Sequence, residues 1–422
     1  MERAVVAGAP RSTERPAETE EHLAELGRLI DTAGGLVVGT LTQRLRTPHP
    51  RLYLGEGKAD ELAAMVRELE ADLVIFDEEL SPAQGKNLES HLGVRVMDRA
   101  ELILDIFATR ARTRESRLQV ELAQLEYLLP RLRRMWSHLS RIRGGIGLRG
   151  PGETQLETDR RLIGLRIADL RRKLRTVAQA RATQRKHREG SFRAALVGYT
   201  NAGKSSLLQA LSGSEQFVED RLFATLDSST RTVDLGDGHE GLVTDTVGFI
   251  RKLPHHLVAS FRSTLEEARE ADVLLHVIDA SHPEAETQRE VVMDVLADLD
   301  LAERPQLLVF NKIDLLSDAE LLTIRGRAHA LEPQPSVFTS AHVPATLAPV
   351  RDALKARLRA ALTPVRVRIP LADGRALSSL YETGEVLEMS EADGTVTVLA
   401  RAPAALIGRL RGRPGVSVDT EC

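Results

Sequence analysis

Two stretches of the chain carry apolar residues at alternating spacings of four and three. Leu118, Leu122, Leu125, Leu129, Leu132, Trp136 and Leu139 form the first, and Ile163, Ile167, Leu170, Leu174 and Val177 the second. Such spacing lays one apolar seam along a helix. Between them lies Arg143-Gly144-Gly145-Ile146-Gly147-Leu148-Arg149-Gly150-Pro151-Gly152, which no helix crosses. Two seams joined by a loop predict an antiparallel helical hairpin over residues 115–190, tipped by glycines. Pro130 is expected to kink its first helix. Trp136 sits on the seam, which favours core packing over base stacking.

Elsewhere short apolar runs alternate with helical patterns. Residues 36–40, 73–76 and 94–97 read as strands, and 58–69, 83–91 and a stretch from Arg99 as helices. That alternation predicts a small parallel α/β domain over 19–114. Residues 1–18, polar with Pro, Glu and Arg, read as a flexible tail. Strand-like runs followed by helices recur over 191–362 and predict a second, larger α/β domain. Residues 363–422 read as a small α+β module that carries no recognisable site chemistry.

Composition narrows this picture. At 422 residues the chain needs several domains, and aromatics make up only 3%, so the cores must be aliphatic. No stretch has the apolar length of a membrane span, and the start lacks an apolar signal core. The one cysteine, Cys422, excludes an internal disulfide and a cysteine-based zinc cluster. A cytoplasmic protein without a stable membrane anchor is expected, with a membrane-associated fraction allowed. The net charge of -4 conceals an asymmetry: residues 131–193 hold 18 Lys and Arg against 5 Asp and Glu. A basic block in an otherwise acidic chain reads as a polyanion-contact surface. A helix face that merely solvates itself is the alternative.

The candidate chemistry sits in the larger α/β domain. Gly198-Tyr199-Thr200-Asn201-Ala202-Gly203-Lys204-Ser205-Ser206 follows an apolar strand and opens a helical pattern, the context a phosphate-binding loop requires. Backbone N–H groups there face phosphate oxygens, Lys204 can reach the β- and γ-phosphates, and Ser205 can ligate Mg²⁺. Asp245-Thr246-Val247-Gly248 ends another strand; Asp245 would hold the metal through a water, and the Gly248 N–H would face the γ-phosphate. Asn311-Lys312-Ile313-Asp314 ends a buried run, where the Asp314 carboxylate suits the two N–H donors of a guanine edge and Asn311 its N7 and O6 side. Ser340-Ala341 would let the backbone approach the guanine O6. All four elements stand at strand carboxyl ends, where open α/β sheets bind ligands.

These motifs resemble those of translation-factor-type, Ras-like GTPases. The stretch Gly144-Gly145-Ile146-Gly147-Leu148-Arg149-Gly150-Pro151-Gly152-Glu153-Thr154-Gln155-Leu156-Glu157-Thr158-Asp159-Arg160-Arg161 further resembles the linker signature of the HflX family. Phe223-Ala224-Thr225-Leu226-Asp227 resembles that family's switch I, and Asp245 to Pro254 its switch II. Leu148 and Ser228 depart from the common pattern, where a short polar residue and a proline are usual. The resemblance implies a Ras-like P-loop GTPase domain preceded by a small parallel α/β domain and an antiparallel helical hairpin, followed by a small α+β domain.

It also implies catalytic Lys204, Thr225 and Gly248; nucleotide contacts from Phe223 and Ala224; and Ser205, Thr225 and Asp245 around Mg²⁺. The implied partners are GTP and GDP and the large ribosomal subunit, whose RNA the basic finger would meet through Arg141, Arg143, Arg149, Arg160 and Arg161. Splitting or rescue of stalled ribosomes under stress is the implied task, by a chain expected to be monomeric. Phe249 stands where Ras-like enzymes orient water with Gln, so intrinsic hydrolysis is expected to be slow and partner-stimulated. Asn201 makes K⁺ a candidate second cation. His255 and His256 are expected to make surface contacts rather than to bind metal. The competing reading is an RNA-binding ribosome-assembly adaptor in which nucleotide is mainly structural.

Overall fold

The computed structural model describes residues 1–12, 14–135, 151–186, 191–214, 221–253, 266–331, 334–392 and 394–420. The chain divides into two compact units. One comprises Met1–Ala178, Glu219–Asp227 and Lys252–Ser263; the other comprises Gln179–Val218, Ser228–Arg251 and Thr264–Cys422.

The first unit corrects the expectation of a flexible tail over 1–18. Residues Arg3–Gly8 form strand β1, all but its first residue buried, and helix α1 begins at once as Pro16–Thr32. β1 pairs in parallel with β2 (Leu36–Thr42) on one side and, across helix α2 (Glu56–Glu68), with β3 (Leu73–Phe76) on the other. Helix α3 (Pro82–Leu92) leads to β4 (Arg95–Asp98), which closes the order β2-β1-β3-β4. A strand flanked on both sides must be apolar throughout, and Ala4-Val5-Val6-Ala7 meets that demand with small side chains. Pro and Glu follow it closely, which is why composition alone reads as a tail.

Local capping starts the helices. The Ser81 hydroxyl accepts the Gln84 N–H at 3.3 Å while the Gln84 side chain accepts the Ser81 N–H at 3.0 Å, a reciprocal capping box. Asp98 accepts the Glu101 N–H at 3.0 Å and opens helix α4 (Arg99–Arg110). Helix α5 (Arg114–Met135) continues through Pro130, and helix α6 (Pro151–Lys186) follows.

Leu122, Ile167 and Leu170 are buried together, with Leu118, Leu125, Leu129, Ile163 and Leu174 packed around them. Glu121 pairs with Arg166 at 2.6 Å, and Glu126 with Arg171 at 2.8 Å. Glu121 and Arg166 each precede a seam residue, and Glu126 and Arg171 each follow one. Pairing of like flanks belongs to helices running in opposite directions, so the hairpin is antiparallel. Arg131 stacks over the Tyr127 ring and pairs with Asp98 at 2.9 Å. Arg172 and Lys173 pair with Asp169 at 2.6 and 2.7 Å. Part of the basic block therefore neutralises acids of its own unit. Trp136, Leu139 and residues 143–150 lie outside the described residues, while Pro151 and Gly152, read from the sequence as the end of the loop, instead form the first turn of α6.

In the second unit, β5 (Arg193–Gly198), helix α7 (Lys204–Ser212), β6 (Ser229–Gly236) and β7 (His239–Asp245) come first. Then follow the short helix α8 (Glu266–Arg269), β8 (Val273–Asp279), helix α9 (Ala285–Asp298), β9 (Gln306–Asn311), helix α10 (Asp318–Leu331), β10 (Ser336–Phe338) and helix α11 (Ala348–Ala361). Their sheet runs β10-β9-β8-β5-β7-β6, with only β6 antiparallel to its neighbour. The chain leaves β5 toward β6 on one side and leaves β7 toward β8 on the other side of β5, which opens a crevice at the carboxyl end of β5.

The module after residue 362 is an antiparallel sheet, β12 (Glu385–Ala392), β13 (Thr395–Ala402), β11 (Thr363–Pro370) and β14 (Ser417–Thr420), in that order. Burial alternates along β11, with Val365, Val367 and Ile369 inward. Helices α12 (Gly374–Thr383) and α13 (Ala404–Arg411) contribute Leu380 and Leu406 to the same core.

Candidate functional site

β5 lies between β7 and β8, so the loop from Gly198 to Gly203 emerges at the crevice and runs into α7. Gly203 has φ +90°, and a Cβ there would sit 2.3 Å from the Asn311 side-chain nitrogen. Only glycine satisfies both conditions. Asn201 also takes a positive φ of 62° and is exposed.

Lys204 is buried, and its Nζ donates to the carbonyls of Gly198 at 3.1 Å and Tyr199 at 2.8 Å. Burial lowers its pKa to about 8, against the opposing pull of the Asp245 carboxylate. Ser205 Oγ donates to Asp245 Oδ2 at 2.6 Å. A hydroxyl and a buried carboxylate side by side are hard oxygen donors, which fit Mg²⁺ better than softer metals. Among the described residues, no group of three or more His, Cys, Asp and Glu side chains is placed to hold a metal.

The loop and the residues after β7 are stitched together by backbone bonds. Thr200 N–H donates to the Phe249 carbonyl at 2.6 Å, and Phe249 N–H donates to the Gly198 carbonyl at 3.1 Å. The Tyr199 hydroxyl accepts the Arg251 N–H at 3.0 Å. A Cβ on Gly248 would lie 2.7 Å from the Thr200 Cα, so the approach requires glycine there. Thr246 turns its hydroxyl to the Leu196 carbonyl at 2.7 Å, an internal tie of the sheet. Spacing in the sequence carries no sign of these pairings.

At the other side of the crevice, Asn311 is buried and bridges two loops. Its Nδ2 donates to the Ala202 carbonyl at 3.0 Å, and its Oδ1 accepts the Ala341 N–H at 3.1 Å. Lys312, in a left-handed turn with φ +63°, pairs with Asp279 at 2.7 Å. Asp314 stands exposed on the following turn. The Ser340 N–H donates to the Thr346 hydroxyl at 2.8 Å, and Ser340 Oγ accepts the His342 N–H at 3.1 Å, which together shape the Ser340–Ala341 turn. Thr346 has no motif around it to announce this part.

Residues 198–206, 245–248, 311–314 and 340–341 therefore share one unit. Phe223, Ala224 and Thr225 belong to the other, where Phe223 is buried against Phe107. Of the basic residues singled out in the sequence, Arg160 is half-buried and Arg161 exposed on α6. Arg141, Arg143, Arg149, His255 and His256 lie outside the described residues.

Residues 20–108 match the family model described as GTP-binding GTPase N-terminal, and 110–188 the one described as GTP-binding GTPase Middle Region. Residues 193–312 match the model described as 50S ribosome-binding GTPase. GTPase HflX of Escherichia coli (strain K12) is 46% identical over 387 residues, covering 91% of this chain and 90% of that protein. GTPase HflX of Alkalihalophilus pseudofirmus is 47% identical over 364 residues, covering 86% and 84%. A solved GTP-binding protein from Sulfolobus solfataricus in complex with GDP is 24% identical with a TM-score of 0.44, covering 85% of this chain and 98% of that one. With all three segment models matched in order and relatives near half identity over most of its length, the chain belongs to the HflX family of GTPases.

Proposed function

We propose that this GTPase is a nucleotide-driven switch on the large ribosomal subunit that splits or rescues stalled ribosomes under stress. The nucleotide half of the reading is carried by Ser205 and Asp245, joined at 2.6 Å beside a buried Lys204. Mg²⁺ held by Ser205, by Asp245 through a water, and by Thr225 of switch I would neutralise the phosphates of GTP. Gly198 to Ser206 would cradle the phosphates, Asp314 and Asn311 would read guanine, and the Ser340–Ala341 turn would meet its O6. Phe223 and Ala224 would flank the nucleotide.

The ribosomal half is supported by the description of the family model matched over 193–312, and by the basic block on the hairpin. Arg160 and Arg161, with Arg141, Arg143 and Arg149, are the proposed contacts to RNA phosphates. Phe249 is buried and apolar, and its ring cannot orient an attacking water. Intrinsic hydrolysis is accordingly slow, and the ribosome supplies the acceleration. Exposed Asn201 would ligate K⁺ as an auxiliary charge. The protein works as a monomer in the cytoplasm.

Co-sedimentation with purified subunits tests this, in GDP and in a non-hydrolysable GTP analogue, with the intact chain and one lacking 131–161. GTP-dependent capture by the large subunit that needs those residues is the expected result. Capture in neither state removes the ribosomal reading. The buried Phe249 also favours a second reading, an RNA-binding assembly adaptor with structural nucleotide. Turnover that stays negligible with ribosomes would establish that one instead.

A further inference from the structure

Residues 223–227 lie across the joint between α4 and α5, all within the first unit. The Phe223 ring meets that of Phe107, on the last turn of α4, edge to face with centroids 4.6 Å apart. Four residues on, Asp227 Oδ2 accepts the backbone N–H groups of Arg112 at 3.1 Å and Thr113 at 3.2 Å. Its Oδ1 accepts the Thr113 hydroxyl at 2.6 Å. The same Thr113 oxygen accepts the Ser116 N–H at 3.1 Å and thereby caps α5. The carboxylate also meets the positive end of that helix's dipole. One short segment thus holds the end of one helix and the start of the next, with an aromatic contact on the first and a charged cap on the second.

We propose that Asp227 is a latch through which switch I holds the α4–α5 joint, so that the order of the first turn of the hairpin depends on the bound nucleotide. The inference rests on the proposed role of Thr225, two residues upstream. Two residues span at most about 7 Å, so drawing Thr225 toward a metal ion loads or slackens the latch. Linkage makes the effect reciprocal: whatever restrains the hairpin at its base shifts the preference between GTP and GDP by the same factor. Base and switch are then one bistable element, and a partner that grips the hairpin acts on the nucleotide through Asp227.

Amide hydrogen exchange over residues 107–117 of the full chain tests this, in GDP and in a non-hydrolysable GTP analogue. In the unaltered protein the two states should differ on the order of fivefold, the scale of one helix cap. In Asp227→Ala the exchange should be fast and equal in both states. If Asp227→Ala does not fold, Asp227→Asn keeps one acceptor and should shrink the difference; Thr113→Ser, which retains the hydroxyl, should preserve it. Equal exchange in both states of the unaltered protein, or an undiminished difference in the Asp227 variants, overturns the latch. Failure of the Thr225 reading is seen separately, as a Thr225→Ala variant whose Mg²⁺ dependence of hydrolysis is unchanged.

Discussion

Asn311 and Ala202 are 109 positions apart in sequence, yet the Asn311 amide donates to the Ala202 carbonyl at 3.0 Å. The same side chain accepts from Ala341 at 3.1 Å. One buried amide therefore fixes the spacing between the phosphate loop and the turn proposed to meet the guanine ring. Asn311→Ala should leave a buried carbonyl and a half-buried N–H unmatched, at about 1–3 kcal/mol for the buried group and less for the other. Weakening of GDP and GTP affinity by at least about tenfold is expected, together with a lowered melting temperature. Titration with a fluorescent nucleotide, set beside a thermal melt, checks both.

Asp314 stands exposed with its carboxylate available to a base edge. Asp314→Asn replaces an acceptor by a group that is half donor, so one of the two guanine N–H groups loses its partner. Loss of an unmatched polar contact in a recognition site costs orders of magnitude. GTP affinity should fall about a hundredfold or more while stability hardly changes. Preserved GTP affinity in this variant would remove Asp314 from base recognition.

Lys204 has a pKa lowered to about 8 by burial, below its ordinary value of 10.5. Its charge is complete at pH 6.5 and falls away as pH rises through about 8. Phosphate binding needs that charge, so GTP affinity should weaken above pH 8, toward about tenfold per unit. The stability effect runs the other way. The unfolded chain binds more protons between pH 8 and 10.5, so folding is favoured as pH rises across that window. Nucleotide titration and urea melts at pH 7, 8 and 9 separate the two signs.

Arg99 is buried between Glu25 and Asp77, and Asp77 also receives Lys252 at 2.5 Å. Burial pushes the Asp77 carboxyl up, but Arg99 and then Lys252 outweigh it, and the pKa lies below the usual carboxylate value of 3.8. Because the folded pKa is depressed, the stabilisation is fully present above the unfolded value of 3.8 and is lost as pH falls through the folded pKa. Asp77→Asn should cost about 3–5 kcal/mol, because it leaves Arg99 buried with one acidic partner fewer. Lys252→Met should cost much less, since Lys252 is 34% exposed at its side chain. Urea denaturation of both variants at pH 7 gives the comparison; equal losses would contradict it.

Features dictated by short segments were legible from residue spacing alone. Strand, turn and helix around Gly198 to Ser205 follow from local spacing and from glycine's tolerance of φ +90° at position 203. The hairpin followed from repeats of four and three, because a helix converts spacing directly into a face. Membership of the family was legible for the same reason, as its signature is one uninterrupted stretch. Other features exist only once distant segments have packed together. Ala4-Val5-Val6-Ala7 is too short to announce a strand, and only pairing on both sides with 36–42 and 73–76 makes it the middle of a sheet. The capture of Asp227 by Thr113, of Lys252 by Asp77 and of Asn311 by Ala202 spans 114, 175 and 109 positions. Hydrogen bonds and ion pairs act over a few ångströms of space and are indifferent to separation along the chain. A pattern of spacings therefore predicts which groups a segment presents, and only the fold decides which of them meet.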